Sequence, residues 1–505
     1  MLRQLKDLGL CLCSALLLHL SFPWASCWIL AWCAFIPFFL FLEGSGRARA
    51  FFLSFLTGIF FWSLTIFWLI HVTVPGTVLL VLYLSLYFGV FGFLASFILT
   101  RPGRRTVFFL PALWVVLEYA RSHLLTGFGW ALLGYSQYRN LWLIQAADVT
   151  GAWGISFLVM MGNVFLYAVM RRRKCFPSVS ALVIFLLALG YGAMRLYFAP
   201  ALPQQERTVS VIQPNIPQEM KWDPRARAEI IRTYSRITAR AALEKPDLIV
   251  WPEAAVPGIV GEDRDVFEAM RVFIRGLGAP VLLGAVFFEE ADRYFNSALL
   301  LDRSAGIAQR HDKIHLVPFG EYLPLKGVFP FLEEIAPIGD ITAGGDYTLF
   351  HLRQNVFGVL ICFEDLFPGL ARGFVLRGAD FLVNITNDAW YKETPAAHQH
   401  FAASVFRAVE NRRPLIRAAN TGVSGVISSE GRVVATVRDR AGREIFCEGF
   451  IHGQIPGIPG RMSFYTRYGD VFAAICLLMV FARMIGMGIL SFPFFQRFRK
   501  GETNG

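Results

Sequence analysis

Long runs of apolar residues dominate the first two hundred positions of the chain and return once near its end. Each run is close to the ~20 residues that a helix needs to cross a ~30 Å hydrocarbon core. Seven runs precede residue 200 and one follows residue 469, so the pattern predicts a bundle of eight transmembrane helices. The runs occupy residues 8–23, 25–42, 50–72, 77–99, 106–124, 152–170, 177–197 and 470–490.

Basic residues collect between alternate apolar runs. The two termini and every second connection together hold 14 Lys and Arg against three acidic residues, which accounts for the whole formal net charge of +11. Since loops rich in Lys and Arg stay in the cytoplasm, both termini are predicted to be cytoplasmic and residues 198–469 to lie outside it. Because the termini and loops predicted to be cytoplasmic account for the whole excess of basic residues, the net charge gives no support for nucleic-acid binding.

The pattern changes from about residue 205, where short strand-like runs alternate with amphipathic helical stretches. Such alternation indicates an α/β layered domain. The predicted organisation is a transmembrane domain over 1–197, an α/β domain over 198–469, and a last transmembrane helix with its tail over 470–505. Strands are predicted at 208–213, 247–253, 280–286, 297–302, 356–362, 380–388, 414–419 and 425–437, and helices at 224–243, 262–276, 367–378 and 398–411.

Two of the eight cysteines, Cys362 and Cys447, fall in the predicted outer domain. A disulfide is the default expectation for such a pair in an oxidising compartment. The alternatives for Cys362 are a small buried hydrophobe and a reactive thiol. Glu364 and Asp365 follow it closely, and nearby negative charge raises the pKa of a thiol. Reactivity therefore requires a cation from elsewhere in the chain.

Three strand ends or adjoining loops carry residues suited to catalysis. Glu253 follows an apolar strand in WPEAAVP, Lys313 and Glu321 lie in RHDKIHLVPFGEYLP, and Cys362 ends the apolar run in GVLICFEDLFP. In α/β domains, chemistry tends to collect where strands end. Taken singly, each motif also has an ordinary structural explanation: a helix cap for Glu253, a solvated loop for Lys313 and core packing for Cys362.

Taken together, these residues form a set that can perform thioester chemistry. Glu253 is predicted to take the thiol proton, with its carboxyl pKa raised in a partly apolar pocket. Lys313 is predicted to stabilise the thiolate and, with the backbone N–H of Phe363, the oxyanion formed on attack at a carbonyl. Glu321 and Glu364 are then expected to orient the lysine and an incoming amine.

The motifs around Glu253, Lys313 and Cys362 resemble the Glu-Lys-Cys triad of the nitrilase superfamily, which implies an αββα sandwich. With the apolar runs on both sides, the chain resembles the apolipoprotein N-acyltransferase family of the bacterial inner membrane. Further matching segments are VIQPNIPQEMKWDP, TGFGWALLGYSQ, VNITNDAWY and RPLIRAANTGVSGVI. The resemblance therefore covers essentially the whole chain.

The resemblance implies a two-step acyl transfer. It gives the residues the same roles: Glu253 is the base, Lys313 stabilises the oxyanion, and Glu321 and Glu364 are supporting residues. Cys362 would take an acyl chain from a phospholipid, typically the sn-1 chain of phosphatidylethanolamine, and pass it to the S-diacylglyceryl cysteine of an apolipoprotein.

Trp222 and Trp390 match positions near the lipid entrance, and ordinary loop packing is the alternative for both. The family often has tyrosine after the nucleophile, where this chain has Phe363. No role follows for Asp365.

No metal-ligand spacing or phosphate-binding glycine loop occurs in the sequence, so no cofactor is predicted. The predicted partners are the phospholipid donor, the diacylated apolipoprotein acceptor and the membrane. A membrane-anchored amidase, which would use the same triad with water, is the first alternative. A transporter with a degenerate outer domain is the second, and the first seven apolar runs contain almost no charge to support it.

Two details of the predicted membrane part concern its outer end. Glu118 and Arg121 lie three residues apart near the end of the fifth run, and we expect them to share a helix face and to pair. The segment 125–144 is rich in Trp, Tyr and Gly. This composition predicts an interfacial segment at the membrane surface, with a re-entrant or half-buried helix as the alternative.

Overall fold

The first part of the chain is helical in the computed structural model. The structure describes residues 2–100, 105–171, 178–198, 207–290, 293–322, 341–455 and 461–486. The α-helices described before residue 199 are α1 (Leu2–Ser21), α2 (Ile36–Leu42), α3 (Arg47–Thr65), α4 (Val74–Thr100), α5 (Thr106–Arg121), α6 (Leu141–Ile144), α7 (Ala147–Met170) and α8 (Ser178–Tyr197).

Helices α3, α4, α7 and α8 are long and apolar enough to cross a membrane. The second predicted span is interrupted instead: a short 3-10 helix, Trp28–Trp32, precedes α2, which has only seven residues. Pro37 lies in the first turn of α2, where its missing N–H breaks no helical bond, so it favours a new helix start. The structure thus confirms several apolar helices, and the number eight stays a prediction.

From residue 207 onward the chain alternates between strands and helices. The strands are β1 (Arg207–Gln213), β2 (Leu248–Val250), β3 (Ile259–Val260), β4 (Val281–Glu289), β5 (Arg293–Leu301), β6 (Ile307–Asp312), β7 (Leu349–Leu352), β8 (Asn355–Ile361), β9 (Phe381–Thr386), β10 (Leu415–Ala419), β11 (Gly425–Ile427), β12 (Val433–Thr436) and β13 (Gly449–Ile455). The helices are α9 (Arg227–Ala242), α10 (Arg264–Arg275), α11 (Pro368–Leu376), α12 (Ala396–Asn411), α13 (Phe464–Tyr468) and α14 (Val471–Gly486).

Two sheets pack face to face in this part. The first has the order β13-β1-β2-β4-β5-β6, with β3 paired to β4, and the second has the order β12-β11-β10-β9-β8-β7. Side chains alternate along each strand: Val250 faces the core between the sheets, and Trp251 faces the cluster formed with α9 and α10. Likewise Ile361 faces the same central core, and Leu360 faces α11 and α12. The layers confirm the αββα sandwich.

The predicted strands and helices all occur, with shorter or shifted ends, and the run 425–437 is two strands, β11 and β12. Four strands were missed. Of these, β3 has two residues, β7 has four, and β6 (IAQRHD) and β13 (GFIHGQI) are edge strands with mainly polar or half-exposed positions. Because edge strands are not buried on both faces, they lack the apolar runs on which the prediction relied.

Helix α12 joins the α/β part to the helical bundle. All but one of its residues are buried, and its apolar side chains share one continuous core with the bundle. Gln399 of α12 accepts hydrogen bonds from the indole N–H groups of Trp68 (3.3 Å) and Trp130 (2.7 Å). Glu410, also of α12, accepts from the backbone N–H of Ala152 in α7 at 2.9 Å. Apolar packing and polar contacts together tie the two parts.

The segment 125–144 is buried in its middle and exposed towards both ends, and its position at the membrane surface stays a prediction. Its middle, residues 129–138, is buried inside the protein between the bundle and the α/β part. Arg121 forms the predicted pair with Glu118, at 3.9 Å, and donates to the carbonyl groups of Phe128 (2.6 Å) and Trp130 (2.8 Å). An aromatic, glycine-rich composition suits a membrane interface and a protein interior equally well, because both combine apolar contact with polar anchoring.

Candidate active site

Cys362 lies at the sharp turn between β8 and the short 3-10 helix Cys362–Leu366. Its φ of +57° falls in the left-handed region, which a residue with a side chain occupies only when its surroundings enforce it. Asn384 of β9 donates to the carbonyl oxygen of Cys362 at 2.8 Å, and the Thr386 hydroxyl lies 3.5 Å from its Sγ. The turn therefore holds Cys362, a residue that is 8% exposed, at a strand end.

The disulfide alternative for Cys362 and Cys447 is excluded by the structure. Both cysteines are free and buried. The Cys447 sulfur accepts from the side-chain amide of Gln213 at 3.4 Å and contacts the carbonyl oxygen of Arg443 at 3.2 Å. Cys447 therefore packs in the loop before β13 as a small buried residue.

Lys313 directly follows β6, and its side chain is 1% exposed. The ammonium donates to the Glu321 carboxylate at 2.9 Å and lies 3.8 Å from the Glu253 carboxylate. Its backbone N–H donates to the carbonyl oxygen of Asn296 at 2.8 Å, which fixes the start of the loop. The structure thus brings three of the predicted residues together around one buried positive charge.

Asn296 of β5 completes this arrangement, and sequence reasoning missed it. Its side-chain amide donates to both Glu253 and Glu321 at 2.7 Å, so the two carboxylates share an amide as well as an ammonium. Gly284 in β4 permits the approach of Glu253, because a Cβ there would lie 2.5 Å from the Cα of Glu253. The available signal was an amide side chain just before the apolar run 297–302.

The Glu364 carboxylate binds backbone N–H groups on two segments of the site. It accepts backbone N–H groups from Ile361 (2.7 Å), Ile314 (2.8 Å) and His315 (2.9 Å). Burial raises the pKa of this carboxyl to about 7, against the effect of these N–H donors. Glu364 therefore connects the turn that carries Cys362 to the loop that begins at Lys313.

Phe363 covers the Lys313 ammonium. The centre of its ring lies 5.2 Å from Nζ, within the range of a cation–π interaction. The phenyl face makes this contact without the hydroxyl that a tyrosine would add. The backbone N–H of Phe363 belongs to the turn that carries Cys362, which keeps it a candidate oxyanion donor.

The surroundings of Cys362 and Lys313 shift the pKa values of both groups. Burial raises the pKa of the Cys362 thiol well above its ordinary value, Glu253 raises it further, and Lys313 opposes both. Burial lowers the pKa of the Lys313 ammonium, but Glu321 and Glu253 outweigh it, so the net shift is upward. At neutral pH the sulfur is therefore a thiol beside a charged lysine, and the thiolate forms only when a base takes the proton.

Asp365, for which the sequence indicates no role, lies in a buried charge network. It accepts from His400 at 2.7 Å, from Arg417 at 2.9 Å and from the Ser404 hydroxyl. On the other side, Asp388 lies 2.9 Å from His400 and 3.3 Å from Arg417. Burial raises the pKa of Asp365, but His400 and Arg417 outweigh it and the net shift is downward. The network anchors the turn that presents the thiol.

This network should be costly to break. Arg417→Met is expected to lower the free energy of unfolding by about 3–5 kcal/mol, because it leaves two buried carboxylates with too little positive charge. The measurement is denaturation of the purified protein in detergent, followed by intrinsic fluorescence. Arg438→Met is the matched control: the Arg438 side chain, which pairs with Glu444, is largely exposed, so we expect a change below about 1 kcal/mol. Equal stability of the two variants would contradict this assignment.

Trp222 and Trp390 lie on two loops that meet beside the site. Both side chains are about half exposed. Their loops are joined by a hydrogen bond from Asn387 to Gln218 at 2.7 Å and by an ion pair between Lys392 and Glu219. The structure thus places the two tryptophans on neighbouring surface loops, and their position at a lipid entrance stays a prediction.

An aromatic cluster from the bundle reaches the same region, and sequence reasoning missed it. Tyr391 is stacked edge-on against Trp68, with ring centres 4.5 Å apart, and Trp68 in turn contacts Trp130 at 4.8 Å. Burial raises the pKa of the Tyr391 hydroxyl well above its ordinary value, and Cys362 adds to the shift. The site is therefore closed on one side by residues of the bundle. Among the described residues, no group of three or more His, Cys, Asp or Glu is placed to hold a metal ion.

Comparison with known proteins gives matches over both parts of the chain. The family model described as the apolipoprotein N-acyltransferase N-terminal domain matches residues 14–165, and the carbon-nitrogen hydrolase model matches residues 208–446. An apolipoprotein N-acyltransferase from Geobacter metallireducens is 39% identical over 499 residues, which cover 94% of this chain and 93% of the relative. One from Chlorobaculum tepidum is 31% identical over 511 residues, with 94% and 95% covered.

Solved structures of nitrilase-superfamily proteins match about half of the chain. A mutant of an amidase from Nesterenkonia sp. AN1, of the nitrilase superfamily, is 19% identical and covers 51% of this chain and 94% of its own, with a TM-score of 0.38. Nit3 from Saccharomyces cerevisiae, of the same superfamily, is 17% identical and covers 51% and 93%, with a TM-score of 0.39.

Proposed function

Because the chain belongs to the apolipoprotein N-acyltransferase family, we propose that the cluster of Cys362, Lys313 and Glu253 is the site at which this acyltransferase N-acylates lipoproteins. The observation that carries the proposal is the buried Lys313 ammonium, held between Glu321 and Glu253 beside the nucleophile turn. A solvated loop lysine, the ordinary explanation for its motif, would be exposed. Because burying a charged group is energetically costly, a buried lysine at this position favours a catalytic role.

In the first step, the Cys362 sulfur attacks the ester carbonyl of a phospholipid while Glu253 takes the thiol proton. The new C–S bond places negative charge on the carbonyl oxygen, which the Lys313 ammonium and the N–H of Phe363 stabilise. Collapse of this intermediate breaks the ester C–O bond. The lysophospholipid leaves with the proton from Glu253, and the acyl chain stays on the sulfur as a thioester.

In the second step, the α-amino group of the diacylated lipoprotein cysteine attacks the thioester. A C–N bond forms, Glu253 takes a proton from the amine, and the C–S bond breaks. The leaving thiolate regains that proton, which restores the resting enzyme. Lys313 and Phe363 stabilise the second oxyanion at the same place, so one set of residues serves both steps.

Both substrates carry acyl chains, so we propose that the site opens to the outer leaflet of the bacterial inner membrane. In this proposal the chain has eight spans, cytoplasmic termini and a periplasmic α/β domain, with the boundaries 1–197, 198–469 and 470–505. The donor is proposed to be phosphatidylethanolamine. The distribution of basic residues, the four long apolar helices and the half-exposed Trp222 and Trp390 support this arrangement.

The orientation can be tested by thiol labelling. An impermeant maleimide applied to spheroplasts is expected to modify Arg232→Cys, an exposed position in α9, because the α/β part faces outward. The matched variant Arg171→Cys, at the cytoplasmic end of α7, is expected to react only after the membrane is permeabilised. The opposite labelling pattern would reverse the proposed topology.

Transfer and hydrolysis are distinguished by the fate of the acyl chain. Purified protein, given labelled phosphatidylethanolamine and a diacylated lipopeptide with a free N-terminus, is expected to yield N-acylated peptide and lysophospholipid. The same lipopeptide with its amine acetylated is the control and should stop turnover at the acyl-enzyme. Release of free fatty acid without N-acylated peptide would instead favour the amidase-like alternative, in which water resolves the thioester.

A further inference from the structure

A second lysine is buried in the candidate active site. Lys221 lies at the end of the 3-10 helix Gln218–Met220, and its side chain is 4% exposed. Its ammonium donates to the carbonyl oxygens of Glu253 at 2.9 Å and Ala254 at 3.0 Å. Among the described residues, Lys221 and Lys313 are the two lysines that are buried.

The environment of Lys221 differs from that of Lys313. No carboxylate of the described chain lies within ion-pair distance of its ammonium, and its two acceptors are neutral carbonyl groups. Burying an ammonium in this way is unfavourable unless something nearby benefits from the charge. The ionisable groups that interact with it are Glu253 and, once its thiol loses a proton, Cys362. The charge is thus directed at the proposed base and nucleophile.

The backbone contacted by Lys221 is a constrained turn. Ala254 has a φ of +49°, and the N–H of Ala255 donates to the carbonyl oxygen of Gly284 at 2.7 Å. In return, the N–H of Gly284 donates to the carbonyl oxygen of Pro252 at 3.1 Å. Strand β4 fixes one side of the turn through Gly284. The Lys221 ammonium holds the carbonyl groups of Glu253 and Ala254. Together they determine where the Glu253 carboxylate can lie.

We propose that Lys221 is a positioning residue for acyl transfer, which holds the turn of Glu253 and adds a positive charge that favours the thiolate of Cys362. This inference rests on the proposed function of the Cys362 site. Lys221 also directly precedes Trp222, so its buried side chain anchors the exposed loop of Trp222 in the candidate active site. Movement of that loop would therefore shift the base as well.

The test uses three variants of the full-length protein. Lys221→Met removes the charge and the donors but keeps the length of the side chain, Lys221→Arg keeps charge and donors, and Lys245→Met replaces an exposed lysine as the matched control. With labelled phospholipid, acyl-enzyme formation by Lys221→Met is expected to be about 100-fold slower than in wild type, because misplacing a catalytic group by ~1 Å has an effect of this size. Lys221→Arg is expected to recover at least a tenth of the wild-type rate.

The pH dependence of Cys362 alkylation distinguishes a positioning and charge effect of Lys221 from a loss of folded structure. The rate at which iodoacetamide modifies Cys362 is followed by mass spectrometry of its peptide, between pH 6 and pH 10. The thiolate of Cys362 faces Glu253, Lys313 and Asp388, and burial lowers the pKa of Lys221 to about 8. Lys221 is therefore charged below pH 8 and neutral above it. Lys221→Met should react more slowly than wild type below pH 8, and the difference should shrink above it.

The outcomes are distinct. If Lys221→Met forms the acyl-enzyme as fast as the Lys245→Met control and shows the wild-type pH profile, the inference is wrong. If the wild-type protein forms no adduct on Cys362, the proposed function itself fails. If Lys221→Met unfolds at a lower temperature than wild type, the Lys221→Arg variant decides. A folded Lys221→Arg protein whose Cys362 is alkylated at the wild-type rate below pH 8 supports the inference. A folded Lys221→Arg protein that is alkylated more slowly overturns it.

Discussion

The Cys362→Ser protein is expected to form no acyl adduct and to transfer acyl chains at least about 10⁴-fold more slowly than wild type. The structure holds this side chain at the end of β8 in a left-handed turn, and a serine would fit the same place. A hydroxyl is far less acidic than a thiol, so the Glu253 carboxylate cannot remove its proton effectively. The measurement is the intact mass of the protein after incubation with phospholipid.

Cys447→Ser is the matched control, because Cys447 is the other free, buried cysteine of the α/β part and lies outside the cluster. It is expected to retain the adduct and the transfer activity. Peptide mapping then locates the acyl group in the wild-type protein. An adduct on a residue other than Cys362, or an active Cys362→Ser enzyme, would overturn the assignment of the nucleophile.

Lys313→Met is expected to slow acyl-enzyme formation by about 10³-fold or more. The ammonium opposes the high pKa of the Cys362 thiol and is the proposed partner of the oxyanion, so its loss removes both effects. The substitution also leaves the carboxylates of Glu253 and Glu321 close together, with the Asn296 amide still bridging them. We therefore expect lower stability together with lower activity. Single-turnover kinetics and thermal unfolding measure the two effects separately.

A double variant distinguishes catalysis from folding. In Lys313→Met with Glu321→Gln, the second substitution removes one of the two uncompensated negative charges, so stability is expected to recover in part. Activity is expected to remain lost, because neither methionine nor glutamine supplies a positive charge. Recovery of acyl-enzyme formation in the double variant would show that Lys313 acts mainly by holding the fold together.

The sequence allowed the residues around the thiol to be predicted because each carries a recognisable chemical requirement. A thiol next to Glu364 needs a cation, and Lys313 and Glu253 followed from that need and from the resemblance, which the relatives confirm at the level of the family. The structure brings Lys313, Glu253 and Glu321 together. What a single sequence does not contain is which distant residues support them.

The network around Asp365 illustrates this gap. Its partners come from α12 and β10, and their role depends on how the second sheet and its helices pack. Arg417 is a charge in the middle of the predicted strand 414–419, but nothing local indicates which carboxylates it meets. Buried polar groups are satisfied by partners that only the fold brings near. The same holds for Lys221, which sits in an unremarkable loop of the sequence.

The membrane part was predicted in outline only. The apolar runs predicted around α3, α4, α7 and α8 do form long apolar helices, because a long regular run of this kind suits a continuous helix. Apolar composition does not reveal the break before α2 or the burial of the middle of the segment 125–144, since both depend on neighbouring elements. Local pattern thus predicts which segments avoid water and leaves open whether lipid or protein covers them.

The position of α12 limits how this enzyme can be divided. A soluble catalyst made from the α/β part alone would expose the side of α12 that now meets Trp68, Trp130 and α7, and a large uncovered apolar surface leads to aggregation. An engineer would have to redesign that whole surface before the excised part could remain in solution. The same dependence means that an inhibitor bound between α12 and the helical bundle is expected to disturb the thiol from a distance, without entering the candidate active site.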